Sequence, residues 1–234
     1  MITKRIIDEK GIDQTEDTVL VLGYFDGLHK GHQALFEKAR EIATEQGLKI
    51  AVLTFPESPK LAFVRYQPEL MLHLASPEDR IAQLESLGVD YLYLIDFTSH
   101  FAGNTARDFF EKYVSRLRAK AVVAGFDYHF GSDRKESHEL RDYFNGKIVI
   151  VPSVNLDNRK ISSTRIRDTI TVGDMLKTQE LLGYPLSTRG IVVHGNARGR
   201  TIGYPTANLA TLDRVLLPGD GVYVADVEHN GQRY

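Results

Sequence analysis

The chain has 234 residues, enough for one large domain or two small ones. Its composition, 42% hydrophobic and 26% charged, is that of a soluble globular protein, and a net charge of −2 gives no general attraction for nucleic acid or an anionic membrane. The absence of cysteine excludes disulfides, thiolate metal sites and cysteine nucleophiles.

Met1 to Arg5 leads into acidic and polar residues rather than the apolar core of a secretory signal. No apolar run approaches the ~18 residues that span a bilayer. These features, with the lack of cysteine, set the expectation of a cytoplasmic protein with small-molecule partners rather than nucleic acid or membrane; no sequence feature specifies an oligomeric state.

In chain order, Thr18 to Leu22 reads as a buried strand. Gln33 to Gln46 reads as a helix with Leu35, Ala39, Ile42 and Ala43 on one stripe and Gly47 as its stop. Leu48 to Phe55 is a second strand. Ser76-Pro77-Glu78-Asp79 is a helix start, with Ser as N-cap and Pro at the first helical position, running to Leu87 before Gly88. Val89 to Ile95, Ala121 to Ala124 and Lys147 to Val151 are further strands, separated by helical segments at Thr105 to Leu117 and Glu136 to Phe144. Apolar strands alternating with helices predict an α/β domain, a Rossmann-like parallel sheet covered on both faces. Two more helical segments, Ser163 to Thr169 and Asp174 to Leu182, end at Gly183.

Beyond Gly183 the texture changes to glycine, proline and short strands at Arg189 to Val193 and Val222 to Glu228, with no helical pattern. This predicts an antiparallel β-barrel unit, giving domains at 1–183 and 184–234. Asn230-Gly231 is a favoured two-residue hairpin turn, yet the chain stops at Tyr234, so the second unit reads as incomplete.

Three segments carry chemistry. Gly23-Tyr24-Phe25-Asp26-Gly27-Leu28-His29-Lys30-Gly31-His32 joins a strand to a helix, a natural cradle for a nucleotide phosphate. The spacing of His29 and His32 puts both imidazoles on one side, and Gly31 between them leaves room for a nucleotide near the backbone. Imidazole and helix N–H donors could stabilise a departing pyrophosphate, usually with Mg²⁺. A surface loop and a zinc site are the other readings; the zincin pattern needs histidines four apart with a glutamate between them, and neither condition is met. Ile161-Ser162-Ser163-Thr164-Arg165-Ile166-Arg167 offers an N-cap, hydroxyls and two guanidinium groups of the kind that pair with a transferring phosphoryl group; alone it is also an ordinary helix start. Gly125-Phe126-Asp127-Tyr128-His129-Phe130-Gly131 follows a strand, where a parallel sheet binds ligands, and its aromatics could hold a flat ring or simply pack. In the second unit, the segment from Gly195 through Gly199, Arg200, Gly203 and Pro205 to Thr206 and Asn208 combines glycines with arginines; extended, it would place the Thr206 and Asn208 oxygens on one face as hard ligands for Mg²⁺. A Gly/Pro-rich β loop is the plainer alternative.

Taken in order, these segments resemble the prokaryotic bifunctional riboflavin kinase/FMN adenylyltransferases, the FAD synthetases. The likeness covers nearly the whole chain, and the Pro205-Thr206-Ala207-Asn208 stretch following Ser162-Ser163-Thr164-x-Ile166-Arg167 is its most specific part. It implies riboflavin, FMN and ATP as substrates: a β-barrel phosphorylates riboflavin, and the Rossmann-like domain adenylylates FMN to FAD with release of pyrophosphate. His29 and His32 would bind ATP phosphates, with Gly23, Phe25 and Asp26 lining the nucleotide site. Ser163, Thr164, Arg165 and Arg167 would grip the triphosphate. Asp127, with Tyr128 beside it, would lie near the flavin, and Thr206 and Asn208 would hold Mg²⁺ and ATP in the kinase site. The family's kinase glutamate base lies beyond the residues present, so riboflavin phosphorylation is not expected of the chain as given. A nucleotidyltransferase for another phosphorylated acceptor, or a non-catalytic nucleotide-binding relative, are the alternatives.

Overall fold

A computed structural model of the protein describes residues 1–65, 68–196 and 198–234, with 69 and 70 described by backbone alone. Its centre is a parallel sheet of six strands: β1 (Ile2–Ile6), β2 (Thr18–Leu22), β3 (Lys49–Thr54), β4 (Tyr91–Ile95), β5 (Ala119–Gly125) and β6 (Lys147–Val151). Their spatial order is β1-β4-β3-β2-β5-β6. The strand order reverses direction between β2 and β5, and at such a switch point the loops leaving the two carboxyl ends diverge and open a crevice. Those loops begin at Gly23 and beyond Gly125.

Side chains alternate across each strand, and both faces are covered. On one face Leu20, Leu22, Leu53 and Val122 meet the aromatics Phe101, Phe109, Phe110 and Tyr113. On the other, Val19, Val21, Val52 and Val123 meet Leu35, Phe36, Ala39 and Ile42 of α1 (Lys30–Gln46). α1 ends where Gly47 turns left-handed, at φ 65°, and returns its N–H to Ala43. α2 (Pro77–Ser86) starts on a Ser76 cap, as its sequence dictates.

Several elements depart from the sequence reading. β1 was not foreseen: it is an edge strand paired only with β4, and Ile-Thr-Lys-Arg-Ile, largely exposed, lacks the apolar run of a central strand. The helix expected over 105–117 is a short α-helix, Ala106–Phe109, followed by a π-turn, Phe110–Val114. The wider turn lets the neighbours Phe109 and Phe110 enter the core together with Tyr113. The segment expected as a helix over 136–144 is a 3₁₀ stretch, Ser137–Asp142, whose buried residues Ser137 and Leu140 follow a three-residue period.

α3 (Ser163–Thr171) and α4 (Met175–Leu182) pack through Ile166, Ile170, Leu181 and Leu182. Beyond them Gly190–Val193 pairs antiparallel with Asn208–Thr211. A short helix, Arg198–Thr201, interrupts the region where none was expected. The strand expected over 222–228 is formed only at its end: Val222 and Val224 stand fully exposed, while Glu228–His229 pairs with Gln232–Arg233 and Val227 exchanges backbone hydrogen bonds with Tyr234. Asn230 and Gly231, at φ 50° and 75°, do form the turn between them. The segment around Val215 returns to the first unit, where His73 N–H donates to Arg214 (2.7 Å) and Leu216 N–H to His73 (2.8 Å), while Val215 is buried.

Candidate active site

The loop leaving β2 is tightly wound. Phe25 and Leu28 have φ values of 58° and 35°, and Gly27 of 77°. A bulky residue held left-handed stores about 1–3 kcal/mol of strain and persists only where its surroundings impose it. Here the Phe25 ring is buried against His32 and Phe36 and lies over Gly23, whose missing side chain makes the space. The buried Asp26 carboxylate accepts from Leu74 N–H (2.8 Å) and pairs with Arg167 (2.7 Å), so this loop is tied both to residue 74 and to α3.

His29 is the N-cap of α1. Its Nδ1 accepts the His32 N–H at 3.2 Å, which leaves the proton of a neutral ring on Nε2. The two imidazoles stack, with centroids 3.7 Å apart and planes 12° from parallel. Burial pushes His29 down to about 4, and burial, with His29, Arg80 and Lys160 as neighbours, holds His32 well below the ordinary histidine range. The pair is therefore neutral at pH 7 and offers hydrogen bonds rather than charge. His32 Nδ1 is buried without a partner among the described residues. Gly31 makes room for the His29 ring, which an added Cβ would meet at 3.1 Å.

The pair faces a cavity of about 970 Å³ at the switch point. Its lining includes Gly23, Phe25, Asp26, Gly31, Asp127, Tyr128, Ser162 and Ser163. Most of the residues singled out in the three N-terminal segments thus converge. Gly131, at φ 74°, has Asp133 and the Ala106 backbone where a Cβ would be, which fixes the far end of the aromatic loop.

The third segment divides. Ser162 caps α3 through Arg165 N–H (3.3 Å), and Ser163 donates to the Asp26 carbonyl (3.1 Å). Thr164 is exposed and does not line the cavity. Arg165 donates to the carbonyls of Leu156 and Arg159, both at 2.9 Å, bracing the hairpin Asn155–Leu156/Arg159–Lys160. Arg167 donates to Asp26 and the Leu72 carbonyl. Neither guanidinium lines the cavity.

The glycine-rich segment of the second unit lies apart from this cavity and connects Val193 to Asn208, which pair across a hairpin. Gly195 packs against the Asn208 side chain, and Gly199 lies under the Tyr204 carbonyl. Arg200, Gly203, Pro205, Thr206 and Asn208 are exposed; Ala197, within that stretch, lies outside the described residues. Thr206 lies two residues before Asn208, where the paired strand Asn208–Thr211 begins. Both oxygens are hard but neutral donors; they suit a Mg²⁺ ion whose charge is balanced by nucleotide phosphates. Among the described residues no group of three or more acidic or histidine side chains is placed to hold a metal.

Two residues near the histidines escaped the sequence reading. Arg80, buried on α2, donates to the carbonyls of Tyr24 and Phe55 (2.9 Å) and to Thr54 Oγ1 (2.6 Å), with its guanidinium 5.1 Å from the Tyr24 ring centroid. Its signal was a charge four residues before Leu84 on the buried stripe of a helix. Lys160, which ends the hairpin before α3, also lines the cavity; nothing in its local sequence distinguishes it from a solvated turn lysine.

Comparison with known proteins places this geometry. The FAD synthetase family model matches residues 11–165 and the riboflavin kinase model residues 182–234. A bifunctional riboflavin kinase/FMN adenylyltransferase of Listeria monocytogenes is 39% identical over 92% of this chain and 69% of its own length, and that of Bacillus subtilis 38% identical over 95% and 71%. A crystal structure described as a macrolide-efflux protein from Streptococcus pneumoniae superposes with a TM-score of 0.97 at 54% identity, covering all of this chain and 77% of that one. Among the described residues no helix is long and apolar enough to cross a membrane. With the two family models matching in succession, and relatives of one kind aligned along both, the chain belongs to the bifunctional riboflavin kinase/FMN adenylyltransferase family.

Proposed function

We propose that the cavity at the switch point transfers AMP from ATP to FMN, giving FAD and pyrophosphate. A phosphate oxygen of FMN attacks the α-phosphorus of ATP, and the bond from that phosphorus to the oxygen bridging to the β-phosphorus breaks. The observation that carries this reading is the buried, stacked His29–His32 pair at the start of α1, facing a cavity wide enough for a nucleotide and a flavin. His29 Nε2–H and His32 donate to the pyrophosphate as charge gathers on it. Gly23, Phe25, Asp26 and Gly31 shape the nucleotide side of the cavity, and Ser163 joins it to α3. Asp127 and Tyr128 bound the flavin side. Arg165 and Arg167 serve from behind by bracing the hairpin and the Asp26 loop; direct contact with the triphosphate would require them to leave those partners. Thr164, exposed beside them, would join the triphosphate grip only on a similar rearrangement.

Mg²⁺ would neutralise phosphate charge in this site, held chiefly by the phosphates themselves, and in the second unit would use Thr206 and Asn208. The segment from Gly195 to Pro205, including Gly199, Arg200 and Gly203, would cover the ATP of a riboflavin kinase site. The units would divide near residue 183.

The test is to incubate the purified chain with Mg·ATP and FMN, riboflavin, phosphopantetheine or nicotinamide mononucleotide, and to resolve the products chromatographically. FAD from FMN, with equimolar pyrophosphate, is the expected result, and FAD from riboflavin would add a working kinase. A folded sample that binds ATP but forms no dinucleotide from FMN would overturn the proposal.

A further inference from the structure

The cavity needs positive charge, and the arginine motif does not face it. The substrates bring several phosphate oxyanions to two neutral imidazoles, while Arg165 and Arg167, themselves outside the lining, are engaged by backbone carbonyls and, for Arg167, by the Asp26 carboxylate. Among the described residues, three cations line the cavity: Lys60, Arg134 and Lys160. Of these only Lys160 acts on both histidines. After burial, the dominant cause, its charge adds to the depression of both His29 and His32.

Lys160 is also held in a position from which it can move. Its side chain is 41% exposed and its ammonium pairs with the Asp127 carboxylate, itself 56% exposed. The same ammonium lies 4.6 Å from the centroid of the Phe126 ring. These contacts join the two walls of the cavity, the loop leaving β5 and the hairpin entering α3. An exposed Lys–Asp pair is weakly held, whereas a phosphate offers more charge and more acceptor oxygens. A flexible four-carbon stem with three rotatable donors suits such an exchange better than a guanidinium fork already engaged elsewhere.

We infer that Lys160 is a phosphate-binding residue of this site, held by Asp127 in the free protein and transferred to a substrate phosphate when the cavity fills. The inference rests on the adenylyl-transfer reading for the identity of the substrates, though not for the presence of a phosphate. It places a movable positive charge on the hairpin that Arg165 braces.

The test compares wild type with Lys160→Met and Lys160→Arg. ATP and FMN are titrated separately by calorimetry, and FAD formation is followed with each substrate varied in turn. We expect Lys160→Met to weaken Kd and KM for one phosphate substrate by roughly tenfold, as for loss of a charge-assisted hydrogen bond. Lys160→Arg should recover most of that loss, with all three proteins melting within a few degrees of one another. A change confined to the ATP titration assigns the contact to the triphosphate, and one confined to FMN assigns it to the acceptor phosphate. Unchanged constants in Lys160→Met overturn the inference, as does a Lys160→Arg protein as impaired as Lys160→Met. If wild type binds ATP, Lys160→Met weakens that binding and no FAD forms, the adenylyl-transfer reading fails and Lys160 stands. If FAD forms equally well with Lys160→Met, only Lys160 fails. A folded wild type that binds neither substrate overturns both.

Discussion

At the scale of single residues, the histidine pair links stability to pH. Burial lowers His29 from its ordinary range near 6.5 to about 4, so its neutral form is the one folding favours. That contribution is fully present above about pH 6.5 and is lost as the pH falls through 4, where the folded protein must also bind the proton. Urea titrations across this window should show a loss of roughly 2–3 kcal/mol that His29→Gln flattens; equal slopes in the two proteins would count against a buried neutral imidazole. The Asp26–Arg167 pair makes a different prediction. Asp26 is buried with two partners, so Arg167→Met leaves a carboxylate without its countercharge. We expect a loss of about 2–4 kcal/mol by urea denaturation, with Arg167→Lys recovering part of it. A loss below 0.5 kcal/mol would show that Arg167 is not the brace of this loop.

At the scale of elements, Arg165 is the brace of the hairpin carrying Lys160. Asp157 and Asn158 form its left-handed turn, at φ 53° and 58°. Arg165→Met should open this turn to limited proteolysis at 157–158 and lower FAD formation at least roughly tenfold while the remaining protein stays folded. Cleavage no faster than in wild type would sink the idea. How much of this was legible in the sequence differs from element to element. The four inner strands of the sheet and the edge strand β6 could be read because each is apolar over its central residues, and α1 and α2 because their caps and stripes agree. β1 could not, since an edge strand with one covered flank carries lysine and arginine like a loop. The π-turn at 110–114 follows from three aromatics competing for one core, a tertiary demand that a helical period does not encode. Within the site, glycines and histidines around β2 announced the cradle, because backbone turns and ring spacing are local properties. The directions of the Arg165 and Arg167 side chains are set by residues 26, 72, 156 and 159, and the burial of Arg80 by Tyr24, Thr54 and Phe55; none of these contacts is local.

At the scale of the whole molecule, the residues after Gly183 reach the cradle from two directions. The half-buried Tyr184 hydroxyl donates to the Gly27 carbonyl inside the strained loop. Arg214 pairs with Glu57, whose carboxylate lies 3.4 Å from His73, and His73 Nδ1 lies 3.2 Å from the Tyr24 hydroxyl. The pairs Arg214–Glu57 and Arg189–Asp79, whose arginines are exposed, should matter little: Arg214→Ala or Arg189→Ala is expected to shift stability by less than about 1 kcal/mol. Tyr184→Phe, which leaves the Gly27 carbonyl without its donor, should cost about 1–2 kcal/mol and slow FAD formation. Thermal melts of the three variants would rank them, and an Arg214→Ala loss exceeding that of Tyr184→Phe would reverse this ordering. The bridge between His73 and the residues around Val215 bears on where the protein can be dissected. A fragment ending at 183 would strip two backbone partners from His73 and uncover the apolar ground beneath Val215 and Leu216, whereas one ending near 220 would retain them. For expression of the adenylyl-transfer unit alone, the usable cut therefore lies some way past the point where the helices stop.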